Sequence, residues 1–225
     1  MLRLVHLPIS LYSFKVRLAV AAMRLDIPMI EPQDGSYRSP AYRALVPPAK
    51  IPALLGPDGV LTETDAIIEY LDEALAGSRL MHGGAFRRAR VRMLSRLIDL
   101  RLEAAVRSLF GQIAPAHREV DEIAHARDRI LAALDVLEWA LDPEGPYSVD
   151  ASVSMADCSL AATAIWLDAV KPELLPDVVF GPRWRRAADA LQRDSVTGPP
   201  IADYRNLVSH WVAARLRRPG ADADR

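Results

Sequence analysis

Three short segments carry the residue types that polar recognition needs. Ser10-Leu11-Tyr12-Ser13 stands where a first strand gives way to a first helix. The amides that open a helix lack intrahelical partners and carry partial positive charge. A hydroxyl there either caps the helix or donates a hydrogen bond to a bound anion. Lys50-Ile51-Pro52-Ala53-Leu54 puts a proline directly before an apolar strand. Proline cannot donate to a ladder, so it marks an edge or a turn. A cis Ile51–Pro52 bond would leave the Ile51 backbone free to pair with an extended peptide. Glu63-Thr64-Asp65 opens another helix. Its amides and the Thr64 hydroxyl suit a carboxylate, and Glu63 suits an ammonium, so the turn can grip an amino acid at both ends. A plain helix cap at Thr64 accounts for the same residues.

The surrounding pattern supplies elements to hold these segments. Leu2, Leu4 and His6 alternate with Arg3 and Val5, which predicts a strand ending at Pro8. Helical spacing follows from Tyr12 through Phe14, Leu18 and Leu25, and Pro28 to Glu31 is a second short strand. Ser39-Pro40 starts a helical turn. Ala53-Leu54-Leu55 and Val60-Leu61 flank Gly56-Pro57-Asp58-Gly59, a hairpin signal. Thr64 then caps a helix with Ile67, Ile68, Leu71 and Leu75 on one stripe. Residues 1–77 thus form a small α/β domain with a mixed sheet. After a linker from Gly77 to Gly84, apolar residues recur at helical spacing over 85–111, 117–142, 155–169, 181–193 and 200–217. Residues 155–169 are apolar nearly all round, which predicts a buried central helix. Residues 85–218 are therefore an all-helical domain, and 219–225 are a flexible tail.

In order and spacing the three segments resemble the glutathione transferase family, cytosolic and serine-type, with a thioredoxin-like domain followed by an all-helical one. Ser10-Leu11-Tyr12-Ser13 resembles the Cys-Pro-Tyr-Cys of glutaredoxins with serine for both cysteines. Lys50-Ile51-Pro52 looks like the family's cis-proline strand start, and Glu63-Thr64 like its Glu-Ser pair. Val153-Ser154-Met155-Ala156-Asp157 resembles the capping box and hydrophobic staple at the head of its central helix.

The resemblance implies glutathione as co-substrate, held by Lys50, Ile51, Pro52, Glu63 and Thr64 and attacking a small electrophile in conjugation, dehalogenation, isomerisation or ether cleavage; the double-serine-cysteine signature that favours maleylacetoacetate-type isomerisation is not in the sequence. Ser10 would donate its hydroxyl to the sulfur, with Tyr12 the rival; Leu11, Tyr12 and Ser13 would either border the electrophile or stand behind the site, Ser13 facing inward or capping the helix. Without a cysteine at position 10 or 13 no mixed disulfide forms there, which disfavours disulfide reduction. The family's Asn-Pro-x-Gly-Lys reads Val46-Pro47-Pro48-Ala49-Lys50 here, leaving Lys50 to meet the glycine carboxylate. A homodimer is implied, with Arg88, Arg92 and Arg96 facing Glu69, Asp72 and Glu73 of a partner copy. The alternative is a non-enzymatic binding protein of the same fold.

Composition excludes other classes. The 225 residues are 51% hydrophobic and 25% charged, with a net charge of -1, so no global field draws nucleic acid or an anionic membrane surface. Only three of the 28 basic residues are lysine, a bias that points to a GC-rich genome before any arginine chemistry. The single cysteine, Cys158, excludes an intrachain disulfide and reads as a small core residue at a helix head. The five histidines have no ligand spacing, and no metal site is expected. No apolar run reaches the roughly 18 residues of a membrane span, and the expected location is the cytoplasm. Phe110, Trp139 and Trp166 read as core.

Overall fold

A computed structural model describes residues 1–217. Its sheet has β1 (Arg3–Val5), β2 (Met29–Ile30), β3 (Ala53–Gly56) and β4 (Gly59–Leu61), in the order β2-β1-β3-β4. β2 runs parallel to β1, with Leu4 opposite Met29; β3 runs antiparallel to both β1 and β4, with Leu54 opposite Leu4 and Leu61. The hairpin closes at Gly59, whose φ of +130° is a conformation that L side chains rarely adopt.

Helix α1 (Leu11–Met23) ends on Arg24 in the left-handed region, short of the Leu25 that the spacing suggested. α2 (Pro40–Leu45) is capped by Ser39, whose Oγ accepts from Tyr42 N at 3.1 Å. α3 (Thr64–Leu75) buries Ile67, Ile68 and Leu71; Leu75 at the end of the expected stripe is exposed. The helical half is α4 (Ala85–Leu97), α5 (Ala104–Ser108), α6 (Val120–Ala140), α7 (Met155–Leu174), α8 (Pro182–Arg193) and α9 (Gly198–Leu216). α7 is buried on nearly every face and packs on α1, α4 and α9. Its head carries the capping box: the buried Asp157 carboxylate accepts from Ser154 N at 2.8 Å, Ser154 Oγ at 2.7 Å and Ser148 N at 2.8 Å. Cys158 beside it is wholly buried, and burial pushes its thiol up. No helix among the described residues is long and apolar enough to cross a membrane. The tail expected over 219–225, with Arg218, lies outside the described residues.

Two further expectations are corrected. The helix foreseen over 85–111 is interrupted by a π-helical stretch at Ile98–Glu103 and ends in a 3-10 turn at Phe110–Gln112. The wider turn coincides with two carboxylates, Asp99 and Glu103, that meet side chains of α1. Trp139 is 73% exposed, because it lies about 200° around α6 from the buried Leu137; Trp166 is buried and Phe110 packs partly buried against it. Of the arginine stripe, Arg92 makes a two-pronged contact with Glu69 of its own chain at 2.8 and 2.7 Å, Arg88 donates to Gly83 O, and Arg96 borders the cavity described below. Asp72 is buried and accepts from Leu80 N and Met81 N, both at 2.9 Å.

Candidate active site

A cavity of about 740 Å³ opens where the sheet-bearing half meets α4. Lys50, Ile51, Pro52, Glu63, Thr64 and Tyr12 all line it, so segments far apart in the chain converge on one space. Leu11 and Ser13 do not: Leu11 is core, and buried Ser13 turns its Oγ to accept from Leu7 N at 3.3 Å. Ser10 is half-buried and stands two residues before Tyr12, outside the lining set.

Ser10 is the N-cap of α1, and its Oγ accepts from Ser13 N at 3.2 Å. A hydroxyl that accepts through oxygen keeps its proton to donate. Both roles read from the sequence at this position are therefore compatible. The Tyr12 hydroxyl has no such freedom. Its one proton goes to Glu103 Oε2 at 2.7 Å, and burial with the neighbouring Glu103 charge raises its pKa. Glu103 is buried, is also paired with Arg107, and the Arg107 guanidinium sits 4.9 Å over the Tyr12 ring.

The opposite wall is shaped by backbone. The Ile51–Pro52 peptide is cis. The preceding Lys50 carbonyl is held at 2.6 Å by the Tyr42 hydroxyl. Tyr42 is packed with Val5, Val46, Ala53 and Leu55, and burial pushes its pKa up to about 12, so it stays a donor. Ala49 and Glu63 both have positive φ, 51° and 66°. Left-handed conformations cost a non-glycine residue on the order of 1–3 kcal/mol and gather at functional sites. The cap of α3 is Glu63, which makes no side-chain capping bond. Thr64 is instead the first helical residue, because the Glu63 carbonyl already accepts from Ile67 N at 3.0 Å. Neither side chain is spent closing the helix.

Behind this wall lies a buried ionic cluster that the sequence reading passed over. Lys15 is 0% exposed and donates to Asp65 and Asp99, each at 2.5 Å, and to Ser95 Oγ at 3.2 Å. Ser95 also meets Ser159 of α7 at 2.9 Å. Burial pulls the Lys15 pKa down, but Asp99 and Asp65 outweigh it and the net direction is up. Burial pushes Asp99 up to about 6 against the opposing pull of Lys15. The available signal was a lysine on the apolar stripe of α1, between Leu11 at i−4 and Leu18 at i+3.

A sequence model of the glutathione S-transferase N-terminal domain matches residues 4–79, and one of the C-terminal domain matches residues 120–193. Maleylacetoacetate isomerase from Pseudomonas aeruginosa is 35% identical over 138 residues, which span 57% of this chain and 65% of that one. The rat maleylacetoacetate isomerase is 30% identical over 170 residues, spanning 73% and 77%. A delta-class glutathione transferase from Nilaparvata lugens superposes with a TM-score of 0.79 at 18% identity, covering 96% of this chain and 100% of that one.

Proposed function

The chain belongs to the glutathione S-transferase family, and on that premise we propose that it binds glutathione along the cis-proline wall and activates the thiol with Ser10. The observation that carries the reading is the convergence of Lys50, Ile51, Pro52, Glu63 and Thr64 on one cavity, a step from the N-terminus of α1. Lys50 takes the glycine carboxylate, Ile51 pairs with the peptide backbone, Thr64 and the α3 amides take the γ-glutamyl carboxylate, and Glu63 takes its ammonium. A free thiol with a pKa near 8.5 is mostly protonated at pH 7. Lowering it by about two units needs about 2.7 kcal/mol of differential stabilisation. In this reading the Ser10 proton and the first amides of α1 supply it. Tyr12 is spent on Glu103, which leaves Ser10 as the donor.

The reaction class we favour is thiolate addition to an activated alkene. The sulfur bonds one alkene carbon, the π pair moves onto the activating carbonyl as an enolate, the former double bond rotates as a single bond, and collapse of the enolate expels the thiolate and restores the alkene. Glutathione is not consumed. The relatives named maleylacetoacetate isomerase support this, as does Arg96 on the cavity wall for a carboxylated substrate. We further propose a cytoplasmic homodimer. Its seam would be the face between α4 and α6, where Phe86, Met93 and Trp139 are exposed around a groove of about 560 Å³; sedimentation of the wild type and Trp139→Glu tests it.

The activity is tested by titrating the thiolate absorbance of bound glutathione in wild type and Ser10→Ala. The expected result is a thiol pKa well below that of free glutathione, returned towards it by the substitution. Saturable binding with no shift in either protein would reduce Ser10 to a helix cap. No binding at all would make the chain a binding protein of the same fold.

A further inference from the structure

The turn that carries Ser10 is not held by its own domain alone. The Ile9–Ser10 peptide is pinned at both edges. Ser10 N donates to Leu7 O at 3.1 Å, and Ile9 O accepts from the Tyr204 hydroxyl at 2.9 Å. Tyr204 lies on α9, 195 residues away in the chain. The direction of its proton is fixed, because Trp166 Nε1 on α7 donates to the same oxygen at 2.8 Å. Oxygen receives from tryptophan and gives to the carbonyl, and chained hydrogen bonds of this kind strengthen one another. The ring adds a second constraint. It stacks on Phe14 with centroids 4.0 Å apart and 11° between planes, and Phe14 N is bonded to the Ser10 carbonyl at 2.9 Å. The Arg17 guanidinium stands over both rings, at 5.5 Å and 5.7 Å. Tyr204, Phe14 and Trp166 are all buried, so these contacts are not exchanged for water.

We propose that Tyr204 is a positioning residue for the thiol-activating hydroxyl: through Ile9 O and Phe14, the helical domain sets where Ser10 points. The inference rests on the Ser10 reading above. The plane of the Ile9–Ser10 peptide is one side of the φ rotation of Ser10, and rotation about that bond moves Oγ relative to the cleft while the sheet stays in place. A donor to sulfur is sensitive to such movement, since hydrogen bonds weaken steeply with angle. A displacement of about 1 Å in a reacting group costs up to about a hundredfold in rate. None of the residues concerned lines the glutathione cavity, so the effect should fall on activation more than on binding.

The test is Tyr204→Phe, which removes one oxygen and keeps the stacked ring. The expected result is a bound-thiol pKa raised by about half a unit to one unit, with kcat/KM for a standard electrophile down about tenfold and the dissociation constant of glutathione changed less than twofold. In a Ser10→Ala background the same substitution should move the thiol pKa no further, because its effect runs through Ser10. Trp166→Phe, which leaves the Tyr204–Ile9 bond in place, should give a smaller rise of the same sign and serves if Tyr204→Phe does not fold. A lower melting temperature with an unmoved thiol pKa would overturn the proposal and leave Tyr204 a packing residue. So would an equal shift with and without the Ser10 hydroxyl. If Ser10→Ala itself leaves the thiol pKa untouched, the Ser10 reading fails first, and the two failures are thereby told apart.

Discussion

The wall of the cleft and the buried seam behind it are built by different means. Residues 49–64 make the wall from backbone: a cis peptide before Pro52, left-handed Ala49 and Glu63, and the open end of α3. Their partners are near in sequence, such as Tyr42 for Lys50 O, eight residues away. The seam behind it is made from side chains that reach partners 50, 84, 91 and 195 residues away: Lys15 to Asp65 and to Asp99, Tyr12 to Glu103, Tyr204 to the Ile9 carbonyl. The backbone wall offers unspent donors and acceptors, as a binding surface must. The seam has spent nearly all of its own, as a buried surface must. The cost of damage should therefore be greatest at the seam and the loss of recognition greatest at the wall.

The largest effect is expected at Lys15. Lys15→Met leaves Asp65 and Asp99 facing each other without their cation, and breaking a buried ion cluster from one side costs about 3–5 kcal/mol. Urea unfolding at pH 7 measures it, and a loss under about 1 kcal/mol would sink the contrast between wall and seam. Adding Asp99→Asn should restore part of the stability.

A smaller effect follows from Asp99 alone. Its carboxyl titrates at about 6 in the fold against 3.8 for an unperturbed group. The folded state thus binds that proton more tightly, so the contribution is full below about pH 4 and is lost as pH rises through about 6. The stability difference between wild type and Asp99→Asn should fall by on the order of 2 kcal/mol across that window, and a flat difference would count against it.

Away from the ion cluster, at the start of α1 and along the wall, the stability effects shrink. Ser10→Ala should cost about 1 kcal/mol as a lost cap and Ser10→Gly only a few tenths, whatever either does to the thiol; equal losses would mean that the cap bond to Ser13 N is not what Oγ contributes. Ala49→Gly should raise stability slightly, by less than about 1 kcal/mol, by relieving a left-handed alanine. Thermal unfolding without glutathione reads it, and destabilisation would mean the backbone there is not strained.

Much of the wall was legible because its features are local. Proline before an apolar strand, a hairpin around Gly56-Pro57-Asp58-Gly59 and an acid-hydroxyl pair before an apolar stripe each announce a backbone shape over a few residues. The cap of α3 was placed one residue late for a related reason: threonine is a common cap, and nothing local says that Glu63 will take the left-handed position. The helix over 85–111 read as continuous because its spacing is helical, while the π turn answers partners on α1. Trp139 read as core from its type alone, and only its angle around α6 puts it outside.

What the sequence by itself determined is the order of elements, the amphipathic faces and the short segments that shape the binding wall. These depend on propensity and periodicity, which act over a turn or two. What only the tertiary structure decided is how each polar side chain is spent. Tyr12 is a candidate donor in the sequence and a committed one in the fold; Ser10 keeps its proton; Lys15 disappears into an ionic cluster; Tyr204 reaches back to the start of the chain. A hydroxyl has one proton and a buried charge must be paired. Which partner takes each is settled only when distant segments pack.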